Sequence, residues 1–156
     1  MAMFKRIIFP TDFSESSAKA FSYVLDVVRS HQSELIILYT YRLISGADGR
    51  YYGNKISIKR EREEEANKQF EQLKQCYPEL SDFEHHFLTE VGFVSDRISL
   101  AVERFNIDLV VLSESIQQQL KEKWEMSDEN LPGRFHCPVL LVPSEVVNEQ
   151  ETVKVG

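Results

Sequence analysis

LVVLSESIQQQLKEKWEMS, running from Leu109 to Ser127, begins as a strand and ends as a helix. Leu109 to Leu112 is a continuous apolar run, the pattern of a strand covered on both faces. Ile116, Leu120 and Trp124 then recur every four residues, the pattern of a helix with one buried side. Between them stand Ser113, Glu114 and Ser115, and the nineteen residues contain no glycine. In an α/β protein a strand-to-helix turn of this kind is where phosphate binds, because the free amides of the helix start converge there. The residues of this turn therefore bear on both the architecture and the ligand.

The same alternation continues in both directions. Lys5 to Phe9 reads as a strand stopped by Pro10, and a helix with the stripe Phe21, Val24, Leu25 and Val28 follows. Asp12 and Glu15 have the spacing of a capping box, with Ser14 as a competing cap. Leu35 to Tyr39 is a second apolar strand. Thr40 to Lys55, with three glycines and three tyrosines, reads as a long loop. A helix from Ile56 buries Ala66, Phe70, Leu73 and Tyr77 and stops at Pro78; its run KREREEE (59–65) is the solvated side. Phe83 to Leu88 gives a third strand and Gly92 a turn. Ser95 is placed to cap a helix that buries Ile98, Ala101, Val102 and Phe105 and closes at Asn106. Pro138 to Val142 forms the last strand. Strands alternating with helices at this spacing predict a mostly parallel sheet with helices on both faces, an α/β three-layer sandwich.

Length and composition agree with one domain over residues 1–156, its core spanning about 4–143 and a polar tail beginning at Ser144. A formal net charge of -7 argues against a general nucleic-acid or anionic-membrane surface. Cys76 and Cys137 form neither a disulfide framework nor a paired metal motif. No segment reaches the length of apolar chain that crosses a bilayer, and the N-terminal apolar run is too short for a secretion signal, so a soluble cytoplasmic protein is expected.

Ligands of parallel sheets bind at the carboxyl ends of strands, near the point where strand order reverses. The first and fourth strands end at Asp12 and Ser113, which makes Thr11, Asp12, Ser113 and Glu114 candidate ligand contacts. Asp12 reads equally as a helix cap. Tyr39, Tyr41, Tyr51 and Tyr52 offer an aromatic ligand surface, core or dimer surface. His85 and His86 are adjacent and face opposite ways in a strand, so they propose no metal pair. The serines Ser14, Ser16 and Ser17 sit at a helix start without a nucleophile motif, and no catalytic set emerges.

RIIFPTDFSESSAKAF, SELIILYTY, the turn at Gly92, FNIDLVVLSES and CPVLLVP, in that order, resemble the universal stress protein family over about Phe4 to Pro143. The resemblance implies five parallel strands in the order 3-2-1-4-5 and a homodimer joined through the last strands, here Val139, Leu140, Leu141 and Val142. In nucleotide-binding members the residue matching Asp12 holds the base and ribose end, and the end of the second strand, near Tyr39 to Tyr41, contacts the base. A glycine loop after the fourth strand and a later glycine-serine pair surround the phosphates.

The chain departs from that pattern. The two loop glycines fall on Ser113 and Ile116, and the later pair falls near Glu125 and Met126. Glycine suits phosphate because the backbone approaches closely and presents its amides. Glu114 adds charge: a carboxylate ~5 Å from one phosphate charge opposes binding by roughly 3 kcal/mol at an effective dielectric of about 20. The expected function is therefore a stress-response regulatory protein that binds a small ligand or a protein partner, with no cofactor, no metal, and no robust ATP binding or hydrolysis. An ATP- or AMP-binding module with an altered phosphate site, with or without magnesium, is the alternative. A small-molecule enzyme using Asp12 and Glu114 is a third.

Overall fold

The computed structural model of the chain describes residues 3–43, 55–124 and 130–144, without the side chains of Lys55 and Trp124. Tyr51, Tyr52, Glu125, Met126, the packing of Trp124 and the polar tail lie outside the described residues.

Five parallel strands alternate with helices: β1 (Arg6–Thr11), α1 (Glu15–His31), β2 (Glu34–Tyr41), α2 (Lys55–Cys76), a 3₁₀ turn (Pro78–Asp82), β3 (His85–Val91), α3 (Val94–Phe105), β4 (Leu109–Ser113), α4 (Glu114–Trp124), α5 (Leu131–Phe135) and β5 (Val139–Val142). The sheet order is β3-β2-β1-β4-β5, as the resemblance implied.

Side chains divide by parity between two cores. Ile7, Phe9, Leu35, Ile37, Leu109 and Val111 face Phe21, Val24, Leu25 and Val28 of α1. Ile8, Ile36, Leu38, Val110 and Leu112 face Ile98 of α3, Ile116 and Leu120 of α4 and Phe135 of α5. Strands buried on both faces need apolar residues at every position, which is why β1, β2 and β4 read as unbroken runs. α1 and α3 end at Gln32 and Asn106 in the left-handed conformation, and the amides of these residues bond back to the last turn.

Several boundaries differ from the sequence expectation. β1 continues through Pro10 to Thr11 because its register with β2 persists, Pro10 opposite Leu38 and Thr11 opposite Tyr39. β2 runs on to Tyr41, and β3 is shifted two to three residues later than expected, its partners Leu35 to Tyr41 drawing it on to Val91. The β1–β4 register, by contrast, holds only at Ile7↔Leu109 and Ile8↔Val110. Strands in parallel contact over six residues on one side and two on the other part at their carboxyl ends, and this opens the crevice at the switch point.

Candidate functional site

The crevice lies where β1 turns into α1 and β4 turns into α4. After Thr11 the chain passes through Phe13, whose φ of 57° is left-handed. That bend sets Asp12 back from the helix, so the cap of α1 is Ser14, whose hydroxyl accepts the Ser17 amide. The Asp12–Glu15 capping box does not form; Glu15 pairs instead with Lys19 on the surface at 3.3 Å. Thr11 is a turn residue, its hydroxyl accepting the Phe13 amide at 3.0 Å.

Asp12 is the hub of a hydrogen-bond network. Its Oδ1 accepts the Ser14 amide at 3.0 Å, the Ser14 hydroxyl, and the Ser17 hydroxyl at 2.8 Å. Its Oδ2 accepts Nε2 of Gln119 from α4 at 3.2 Å. Burial works to raise the Asp12 pKa, but the hydrogen bonds from Ser14, Ser17 and Ser115 prevail and hold it below its ordinary value. From the other side, Ser113 Oγ lies 3.1 Å from Ser17 Oγ, and Ser115 Oγ lies 3.0 Å from Ser14 Oγ and 3.2 Å from Ser113 Oγ. The Ser115 amide donates to Ser16 Oγ at 3.0 Å.

Proton counting gives these contacts a direction. Each hydroxyl has one proton. Those of Ser14 and Ser17 go to the carboxylate, so the Ser17–Ser113 contact requires Ser113 to donate. Ser115 must then donate to Ser14, to Ser113 or to Asp12 itself. Every hydroxyl proton in the ring points, directly or through a neighbour, towards Asp12. In this arrangement no ring hydroxyl has a proton left for an acceptor outside the ring.

Two further groups of the junction are engaged. β4 passes into α4 at Glu114 with no intervening loop. The Ser115 amide is taken by Ser16, and Glu114 Oε2 accepts the Ser144 amide at 2.9 Å, which holds its carboxyl below the usual range. Ile116, at the second glycine position, is 2% exposed and belongs to the core against α5. The turn therefore places a buried serine and a core isoleucine at the positions of the family's two loop glycines.

The other candidates lie elsewhere. Tyr39 and Tyr41 share the parity of Leu35 and Ile37 and therefore lie on the α1–α2 side of the sheet. Tyr39 stacks on Tyr41 at 6.1 Å and packs on Phe13 at 5.4 Å. Burial, with the nearby Glu63 carboxylate, pushes the Tyr41 hydroxyl up to about 12. These rings form a wall continuous with the core and do not meet Ser113 or Glu114. His85 and His86 diverge as expected: His86 pairs with Glu34 at 2.9 Å, while His85 lies against Phe70. Glu34, Glu84 and His86 bring one potential ligand atom each within 4.8 Å of one another, but Arg6 already pairs with Glu34 at 3.2 Å.

Ser14 and Ser17 read in the sequence only as helix-start residues, Ser115 only as part of the turn, and Gln119 was not singled out, although all four build the site. One pattern marks the two turns: the tripeptide Ser-Glu-Ser occurs at both, Ser14 to Ser16 and Ser113 to Ser115.

A doubly wound sheet with an acid at the end of β1 and a helix start after β4, facing across the switch point, defines a parallel α/β protein with a crevice at the carboxyl ends of its central strands. The chain matches the universal stress protein family over residues 3–143 and belongs to that family. It is similar in structure to a universal stress family protein from Burkholderia pseudomallei, with a TM-score of 0.64, 18% identity and coverage of 92% of this chain and 98% of that one. Universal stress protein UspA from Lactobacillus plantarum gives 0.62, 17%, 91% and 99%. A family protein from Arabidopsis thaliana with AMP bound gives 0.56, 14%, 89% and 91%. No curated protein matches the chain.

Proposed function

We propose that this universal stress protein acts by binding and regulation, as a cytoplasmic homodimer, and that it neither holds ATP at the β4–α4 turn nor hydrolyses it. The self-bonded ring of Asp12, Ser14, Ser17, Ser113 and Ser115 carries this reading, since it consumes the donors that phosphate would use. Family membership supports a ligand- or partner-binding role. The AMP held by the Arabidopsis relative keeps a monophosphate within the range of ligands, provided that its phosphate lies outside this turn. Calorimetric titration with AMP and ATP, each with and without magnesium, tests the reading: no micromolar binding of ATP is expected.

The dimer reading rests on β5. Among the described residues its one partner in the sheet is β4, which makes it an edge strand there, and Leu140 is 37% exposed on it. Pairing with a second copy satisfies the open backbone groups and covers Leu140. Leu140→Lys is expected to convert the dimer to monomer in sedimentation, with the helical circular dichroism unchanged; a dimer that persists places the contact elsewhere.

A further inference from the structure

A second recess opens at this end of the sheet, with Gln119 between it and the serine ring. Gly92, with φ 137°, turns β3 into α3 and donates its amide to the Tyr41 carbonyl at 2.9 Å, which brings the start of α3 beside the end of β2. A Cβ on Gly92 would stand 3.0 Å from Nε of Arg97, which donates to the Val91 carbonyl, so the turn is tightly determined. The resulting recess has a volume of about 380 Å³ between β2, the β3–α3 turn and α4, within the range of small-molecule sites.

Three independent shortages of negative charge meet there. First, the cap position of α3 is Phe93, which has no side-chain acceptor. The amides of Val94, Ser95 and Asp96 precede the first intrahelical donor, Arg97, and meet no acceptor among the described residues. Second, Ser95 is fully buried and lines the recess, and its hydroxyl is without a hydrogen-bond partner among the described residues. A buried hydroxyl left unpaired is costly and calls for a missing partner. Third, Arg42 and Lys123 both border the recess and lie over the same Phe93 ring, at 4.9 and 4.1 Å from its centroid. Among the described residues neither meets a carboxylate in an ion pair. Two like charges gathered on one ring repel each other unless an anion joins them. Among the described residues Glu122 is the one acid that lines the recess.

We propose that the start of α3, with Arg42, Lys123 and Ser95, binds the anionic end of a small phosphate monoester. A dianion matches two cations and a set of helix-start amides, whereas a single carboxylate leaves one cation unpaired. The site lies beside the end of β2, where the family resemblance places the base, so the ligand is held with the opposite polarity. The proposal rests on the reading of this protein as a ligand binder. Gln119 lines the recess while donating to Asp12, and so separates the new site from the closed serine ring.

The test is titration of the full chain with inorganic phosphate at constant ionic strength, read from backbone amide shifts. Saturable shifts are expected at Phe93 to Asp96, with Ser113 to Ser115 unmoved. Arg42→Gln and Lys123→Gln are each expected to weaken binding about tenfold, the effect of one charge-assisted contact. Both side chains lie at the surface, so the variants keep the fold; Ser95→Ala weakens binding less. Silence at both regions, or α3 shifts of undiminished affinity in the double variant, overturns the proposal and leaves the closed turn standing. Shifts at Ser113 to Ser115 with α3 silent overturn both.

Discussion

Replacing Ile116 by glycine, which restores a family glycine at that position, is expected to destabilise the protein by about 4 kcal/mol and to leave it without ATP binding. Ile116 is buried in the core with Leu112, Leu120 and Phe135. Removing a buried isoleucine side chain costs about 2–5 kcal/mol, and glycine in a helix adds about 1 kcal/mol relative to alanine. Chemical denaturation of the variant measures the loss. Its recovery of micromolar ATP binding would show that one side chain blocked an otherwise competent turn. No recovery is expected, because the serine ring and the seized Ser115 amide remain.

Asp12→Ala is expected to cost about 2 kcal/mol, from loss of the charged acceptor for the Ser14, Ser17 and Gln119 donors, discounted because the carboxylate is only half-buried. Asp12→Asn keeps the size and one acceptor oxygen, and is expected to cost less. The depressed pKa of Asp12 fixes the sign of the pH dependence. In the fold it stays ionised at acidities where the unfolded chain is protonated. Its contribution is complete above the ordinary aspartate value and is lost as pH falls through the folded one. Stability of wild type minus Asp12→Asn, followed downward from pH 6, should therefore narrow only in the acid range below the usual carboxylate titration. A difference that does not narrow there would mean that the aspartate's charge is irrelevant to the ring.

The legible and illegible parts of this chain divide along physical lines. Local periodicity revealed every strand and the four longer helices, because β1, β2 and β4 are buried on both faces and α1 and α3 on one. Asn106 was readable as a helix end, since asparagine tolerates the left-handed conformation; Gln32 does the same work with no such mark. Strand ends were less visible, since Pro10 and Tyr41 are held by their neighbours' register and not by their own propensities. Ser95 reads as a cap but lies inside the first turn of α3, because Gly92 starts the bend earlier. The departure from a glycine loop was plain in the sequence. Its replacement was not, because the decisive contact joins Ser17 to Ser113 across 96 residues. Serines at a helix start look like ordinary capping residues until the opposing turn is placed against them. The cluster at the start of α3 was hidden for the same reason, since Arg42, Phe93 and Lys123 belong to three separate segments.

The central claim is that the β4–α4 turn is closed to phosphate by its own hydroxyls. The most direct measurement is titration of the ligand-stripped protein with magnesium-ATP, observed at the amides of Ser14, Ser17, Ser113, Glu114 and Ser115. The predicted result is no shift at these amides, with any binding confined to the start of α3 and no tighter than millimolar. Micromolar ATP binding that moves Ser113 to Ser115, and that disappears in a folded Asp12→Ala variant, would contradict the account.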